Sequence, residues 1–260
     1  MEVYSLASSS GGNSFLVSCS GGDFLVDAGV SMKYILACLE KLGKTMKDIR
    51  GIFITHEHSD HIKGLKMIEK YYRTSIFAPV CVASGIRRAV PETEGNIITF
   101  TPGDRVDIGG ISFTSFNTPH DVQCVGYKVE DRGERLGLAT DIGSITPEVS
   151  ENLMGSHGVI LEANYDVEML HQGNYPPYLK RRIVSPQGHL SNDDSGKMVA
   201  QLLKSGTKRI VLAHLSKENN TPKVAYRTVL KAAEEGGVSL EEGQIGVAPR
   251  AEMLLAYRSR

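Results

Sequence analysis

No apolar run in this 260-residue chain approaches the ~20 residues that a bilayer-crossing helix requires, so a membrane is excluded as a partner of that kind. Cysteine is scarce and scattered: Cys19, Cys38, Cys81 and Cys124 show no short paired spacing. That argues against a disulfide scaffold and for reduced, mostly buried thiols in a reducing compartment. Cys124, four residues past His120, reads as a core thiol close to a functional loop. Charge of neither sign dominates, because the formal net charge is −1. A general attraction for nucleic acid is therefore excluded, and any phosphate-binding surface has to be local. Low-complexity tracts are missing too, and 41% hydrophobic with 23% charged residues is the composition of a folded chain with a large core. The opening Met1–Ala7 has neither the positive region nor the apolar stretch of an export signal, so a cytoplasmic location is expected.

What the chain does have is a dense group of metal-binding side chains. In Thr55-His56-Glu57-His58-Ser59-Asp60-His61, four strong ligands fall within six positions, directly after the apolar, strand-like Gly51-Ile52-Phe53-Ile54. Imidazole nitrogen and carboxylate oxygen suit zinc and other borderline divalent ions. Four such groups cannot all serve one open catalytic ion and leave room for a substrate, so two ions are implied. The spacing agrees mechanically. Residues two apart share a face of an extended chain, so His56 and His58 can grip one ion. Beyond them Ile62, Leu65, Ile68 and Glu69 recur with helical spacing, and adjacent helical side chains diverge by about 100°, enough to turn His61 toward a second ion.

Turn signals and hydrophobic periodicity divide the rest of the chain. Short strands are expected at 3–6, 14–19 and 23–27, separated by Gly11-Gly12-Asn13 and Gly21-Gly22. A helix follows at 31–42, closed by Gly43. Strand 51–55 feeds the ligand loop and a helix at 61–72, then come a strand at 75–78 and a helix at 80–89. Residues 97–140 are strand-rich, with hairpin turns at Pro102-Gly103-Asp104 and Asp131-Arg132-Gly133-Glu134. After Asp141 the order is helix 146–153, strand 157–163, helix 193–205, strand 208–213 and helix 222–235. Two strand-rich halves flanked by helices predict an α/β (α+β) fold in which two mixed sheets pack face to face as an αββα sandwich. The length suits one domain over residues 1–260. The stretch 164–192 reads as an irregular excursion over the site. It carries Lys180, Arg181 and Arg182, which form either a solvated helix face or a contact for a phosphate backbone.

At the ligand loop the chain resembles the metallo-β-lactamase-fold hydrolases, whose signature is His-x-His-x-Asp-His after a strand. Further pieces follow in that family's order: Phe24-Leu25-Val26-Asp27, Phe116-Asn117-Thr118-Pro119-His120, Leu138-Ala139-Thr140-Asp141 and Ile210-Val211-Leu212-Ala213-His214. The resemblance implies His56, His58 and His120 on one ion, Asp60, His61 and His214 on the other, Asp141 across both, and Asp27 supporting the loop without binding metal. Two histidines compete for the last metal position. His214 ends an apolar strand, as ligands in this fold do. His189, in Gln187-Gly188-His189-Leu190-Ser191-Asn192, resembles the extra histidine of the phosphodiesterase branch, which contacts the scissile phosphate or protonates the leaving group. Glu162, ending the apolar Val159-Ile160-Leu161, resembles the glutamate that partners it. With Tyr175–Arg182, His-Leu-Ser-Asn and His-Leu-Ser-Lys-Glu-Asn-Asn, the chain is most similar to the YycJ/WalJ group of bacterial metallohydrolases.

The expected chemistry is hydrolysis. Zinc is the first choice for the two ions, with manganese or iron as alternatives. Two ions about 3.5–4 Å apart bring the pKa of a shared water to about 7, so hydroxide attacks and no protein nucleophile is needed. Asp60 is a candidate to take the proton of that water, and His189, oriented by Glu162, is expected to protonate the leaving group near neutral pH. Ser216, Asn219 and Asn220 are candidate donors to phosphate, with Asn13 or Ser14 on the opposite rim; His157 and His171 are expected to be structural or exposed. The resemblance implies a 5′-to-3′ exonuclease working on nucleic acid ends, DNA before RNA. The large insertion of the RNA-cleaving branches is missing, which points away from transfer-RNA processing. Two other readings stay open: a glyoxalase-II-type thioester hydrolase, which leaves His189 and Glu162 without a task, and a non-catalytic, metal-stabilised regulatory or DNA-binding module.

Overall fold

A computed structural model describes residues 1–259. The first part of the chain forms β1 (Glu2–Ser9), β2 (Gly12–Cys19), β3 (Gly22–Val26), α1 (Met32–Lys41), β4 (Ile49–Phe53), α2 (Ser59–Ile62), α3 (Leu65–Tyr71), β5 (Ile76–Pro79), α4 (Val80–Ala89) and β6 (Ile97–Phe100). It continues with β7 (Arg105–Ile108), β8 (Ile111–Thr118), β9 (Cys124–Asp131), β10 (Glu134–Ala139), α5 (Pro147–Leu153), β11 (Gly158–Glu162), α6 (Val167–Gln172) and α7 (Pro177–Ile183). Last come α8 (Asn192–Lys204), β12 (Arg209–Ala213), α9 (Pro222–Glu235), β13 (Ile245–Val247) and β14 (Leu254–Arg258). Two seven-stranded sheets result, in the orders β14-β1-β2-β3-β4-β5-β6 and β13-β12-β11-β10-β9-β8-β7. Each is antiparallel on one side and parallel on the other, the change falling at β3 and at β10. This is the αββα sandwich expected from the order of elements.

Apolar runs in the central strands follow from burial of both sheet faces. Phe15, Val17, Phe24, Val26, Phe53, Ile160 and Val211 point between the sheets. Their neighbours Leu16, Leu25, Ile52 and Ile54 face outward under α1, α3 and α4, and Val159, Leu161, Ile210 and Leu212 pack under α5, α8 and α9. Phe53 ties the layers together, its ring stacking on Phe113 of the opposite sheet at 3.8 Å and on Phe77 at 4.8 Å. Replacing Phe53 with alanine should cost about 3–5 kcal/mol, visible as a lower denaturant midpoint with an unchanged slope; a midpoint within error of the parent would contradict this packing account.

Three differences from the sequence-based expectation have physical causes. The helix expected over 61–72 is broken into α2 and α3 around Lys63-Gly64. There the Gly64 N–H donates to the Ala28 carbonyl at 2.7 Å, and a Cβ on Gly64 would lie 2.6 Å from the Val30 carbonyl oxygen. The excursion 164–192 contains α6 and α7, folded around a small apolar cluster of their own made by Tyr165, Leu170 and Ile183. Finally, two short strands follow residue 235, and the second, β14, pairs with β1.

The topology positions the site. Asp27 follows β3, residues 55–61 follow β4, His120 follows β8, Asp141 follows β10, Glu162 ends β11 and His214 follows β12. In parallel sheet regions the loops at the carboxyl ends of strands are where ligands collect. The rims of the two sheets are stitched together at this point: the Tyr127 hydroxyl donates to the Ile54 carbonyl at 2.7 Å, and the Val125 N–H to the Thr55 carbonyl at 3.1 Å.

Candidate metal centre

Six imidazoles and five carboxylates converge at this rim. The donor atoms of His56, His58 and His120 lie within 4.8 Å of one another, as do those of Asp60, His61 and His214. Asp141 groups with His56 and His61, and again with Glu162, His189 and His214, which places it between the two sets. Its carboxylate oxygens lie 3.2 Å from His61 Nε2 and 3.5 Å from His214 Nε2. Asp60 Oδ2 is 3.4 Å from both of those nitrogens.

The outward-facing nitrogens decide what the inward ones can do. Asp27, fully buried, accepts from the Thr55 N–H and hydroxyl, each at 2.9 Å, and from His61 Nδ1 at 2.7 Å. With the Thr55 proton spent on Asp27, His56 Nδ1–H donates to the Thr55 oxygen at 3.0 Å. His120 Nδ1 donates to the Gly188 carbonyl at 3.0 Å. Glu162 Oε1 accepts from His189 Nδ1 at 2.8 Å and His214 Nδ1 at 2.9 Å. Each of these five rings gives its Nδ1–H to an acceptor outside the centre, so Nε2 is the atom left to face a metal or a substrate, the arrangement found behind metal-bound histidines.

Buried polar atoms seldom go without hydrogen bonds, yet none of suitable alignment reaches His56 Nε2, His120 Nε2 or Asp141 Oδ2. Burial opposes charge on His61 and His214, but Asp141 and Asp27 hold the first well above its ordinary value, and Asp141, Asp60 and Glu162 raise the second to about 10. Burial likewise opposes ionisation of Asp60, Asp141 and Glu162, and the facing imidazoles still keep all three below the usual carboxylate range. The carboxylates that favour a protonated His61 and His214 would favour a divalent cation in the same place, and with the unpaired Nε2 atoms of His56 and His120 this donor set fits cations of the zinc type.

The backbone is strained where it delivers these groups. Asp27, Asp141 and His214 adopt the left-handed region, with φ of 61°, 58° and 57°. Each turns the chain sharply at a strand end, a conformation that side chains rarely adopt unless the surroundings impose it. Close approach matters as well: a Cβ on Gly29 would fall 1.6 Å from the Asp60 carbonyl oxygen, so only glycine lets the 27–30 loop lie against the ligand loop.

Not every residue singled out in the sequence faces this centre. Asn220 is turned inward: its amide donates to the Ala163 and Asn164 carbonyls and to Asn192, and its oxygen accepts from the Thr221 N–H. Ser216 and Asn219 are buried together, the Asn219 N–H donating to the Ser216 hydroxyl at 3.1 Å, a local turn rather than a ligand surface. Lys180 donates to the His171 carbonyl at 2.7 Å, and Arg181 is exposed. Arg182 alone of the three reaches the rim, where it pairs with Asp121. On the opposite side Asn13 Nδ2 lies 3.1 Å from His61 Nε2 and 3.4 Å from Asp60, while the Ser14 hydroxyl is tied to the Asp27 carbonyl. Cys124 is buried, its thiol pushed up first by burial and then by Asp141. His157 Nδ1 accepts from the Arg135 N–H, and His171 is exposed.

Asp121 was not singled out, although an acid directly after His120 is a signal in itself. Its Oδ1 lies 3.2 Å from His120 Nε2 and 3.5 Å from His58 Nε2. Asn164, which belongs to no motif in the sequence, braces the site as well; its amide donates to the His214 carbonyl at 2.8 Å.

Comparison with known proteins agrees with this geometry. Residues 23–215 match the β-lactamase superfamily domain. The chain is 36% identical to the exodeoxyribonuclease YycJ of Bacillus anthracis over 243 residues, covering 91% of this chain and 90% of the relative. It is 36% identical over 231 residues to the exodeoxyribonuclease WalJ of Streptococcus pneumoniae, covering 86% and 85% of the two chains. Among solved structures, the metallo-β-lactamase fold protein YhfI from Bacillus subtilis superposes with a TM-score of 0.69 at 15% identity, covering 97% of this chain and 98% of that one. The chain therefore belongs to the β-lactamase superfamily, as a metallo-β-lactamase-fold hydrolase homologous to the YycJ and WalJ exodeoxyribonucleases.

Proposed function

We propose that this single-domain chain is a cytoplasmic, binuclear metal-dependent phosphodiesterase that degrades nucleic acid from its ends, DNA before RNA, in the 5′-to-3′ direction. One observation carries this: two donor sets, His56/His58/His120 and Asp60/His61/His214, stand side by side with Asp141 between them and a His189–Glu162 pair beside them. The names and coverage of the YycJ and WalJ relatives support the choice of DNA. Four unpaired cysteines suit a reducing compartment, and among the described residues no helix is long and apolar enough to cross a membrane.

Two divalent ions in these sets, zinc by the donor chemistry, would acidify water and offset the charge of the phosphoryl group during in-line displacement. The chain's own residues do the rest. Asp60, partly exposed at the rim, takes the proton of the attacking water. Glu162 fixes the His189 ring through Nδ1, leaving Nε2 to hold the proton that passes to the departing oxygen as its bond to phosphorus breaks. Asp27 and Thr55 keep His61 and His56 in the orientation described above.

The test is elemental analysis of protein purified without added metal, followed by digestion of 5′- and 3′-end-labelled single- and double-stranded DNA and RNA. Two ions per chain and release of label from 5′ ends of DNA are expected. A single ion per chain, or turnover of S-lactoylglutathione without any phosphodiester cleavage, would overturn the proposal.

A further inference from the structure

Asp121 occupies an unusual place. One of its oxygens, Oδ1, faces His120 Nε2 at 3.2 Å and His58 Nε2 at 3.5 Å, on the side of the centre where the three-histidine set lies. Its other oxygen, Oδ2, receives both the Nε of Arg182, at 2.7 Å, and the Nη2 of the same guanidinium. A carboxylate thus bridges a guanidinium and a metal-ligand set. A non-bridging oxygen pair of a phosphodiester would need this same arrangement, one oxygen toward the cations and one toward a forked donor.

We propose that Arg182 is a positioning residue that receives the substrate phosphate beside His58 and His120, and that Asp121 is its internal place-holder, a carboxylate filling the phosphate subsite until substrate displaces it. This rests on the phosphodiesterase reading above. The pair is only partly buried, with side-chain exposures of 48% for Arg182 and 30% for Asp121, and an ion pair so placed is weak enough to exchange. Arg182 is also coupled to the proposed acid. It lies on α7 beside Ile183, whose carbonyl accepts the His189 N–H at 2.9 Å, and the Gly188 carbonyl that braces His120 belongs to the same segment. A Cβ on Gly188 would come within 2.3 Å of the Arg182 and Ile183 carbonyls, so the backbone that carries Arg182 lies tightly against the segment that carries the brace and the acid histidine. Because the chain has no net positive charge, a local cation of this kind is what would draw a phosphate to the centre.

Calorimetric titration of the metal-loaded protein with inorganic phosphate, together with KM for single-stranded DNA, tests the assignment. Asp121→Asn removes the competing anion and should tighten phosphate binding and lower KM by about fivefold to tenfold, with metal content unchanged. Arg182→Gln should weaken phosphate binding by about tenfold, and Arg182→Lys should restore only part of it. Lys47→Gln, an exposed charge change far along the chain, should leave both as in the parent. Unchanged or weaker phosphate binding by Asp121→Asn overturns the proposal, and so does loss of one ion per chain in that variant, which would make Asp121 a metal donor. If the parent cleaves no phosphodiester at all, the nuclease assignment fails, whereas the phosphate titration still decides the subsite.

Discussion

Replacing His189 with alanine should lower kcat for DNA cleavage by about 10²–10⁴-fold, the range that a positioned general acid contributes, with the metal content of the parent retained. The contrast between substrates matters more than the size of the loss. Cleavage of DNA expels an alkoxide, which leaves only if a proton reaches it. Cleavage of bis-p-nitrophenyl phosphate expels a stabilised phenolate, which needs no such help. His189→Ala should therefore be crippled on DNA and only mildly slower on the activated ester. The ring stands between the two halves of the centre, 5.1 Å from the His120 ring and 5.3 Å from the His214 ring, centroid to centroid. A role as metal ligand is thus the competing account. Equal losses on both substrates with a fall in bound metal would favour that account and remove His189 from acid duty.

Glu162→Gln is expected to lower both the stability of the fold and its hold on metal. Four donors converge on this one buried carboxylate: His189 Nδ1 and His214 Nδ1 on Oε1, and the Ile142 and Leu190 N–H groups on Oε2, at 2.6 and 3.4 Å. A glutamine amide can be turned either way, and in each orientation its NH₂ meets donors instead of accepting from them. Breaking one partner out of a buried, paired network costs about 3–5 kcal/mol, which for a protein of this size lowers Tm by roughly 10 °C. Since Glu162 stands behind one proposed ligand and the proposed acid together, metal affinity should fall about 10- to 100-fold as well. Differential scanning calorimetry and chelator competition measure the two effects separately. A variant with the parent's Tm and metal retention would show that the carboxylate is not the brace described here.

The sequence was most legible where structure is local. The residues of the ligand loop are close in space because they are close in the chain, so their spacing alone brings four donors together. Strands such as Phe24–Val26 and Ile160–Leu161 were legible because burial of both sheet faces writes an unbroken apolar run. Features set by distant partners were not. The break at Lys63-Gly64 exists because Gly64 meets the Ala28 and Val30 carbonyls, which no helical periodicity reveals. Strand β14 is defined by its pairing with β1, at the opposite end of the sequence. The carbonyls of Ala163, Asn164 and His171, to which Asn220 and Lys180 donate, are main-chain atoms that carry no sequence signature. Asp121 escaped for the converse reason: its companion Arg182 is sixty-one positions away.

The left-handed corners at Asp27, Asp141 and His214 set a limit on how this molecule could be made hardier. Substituting glycine at such a φ ordinarily relaxes the main chain, by roughly 1–2 kcal/mol per position, and would rank among the simplest routes to heat resistance. Here all three corners are occupied by side chains that the centre needs. Engineering for robustness would turn to the left-handed corners at Arg73 and Arg132, which stand outside the donor set, because release at the other three would disturb the groups gathered there.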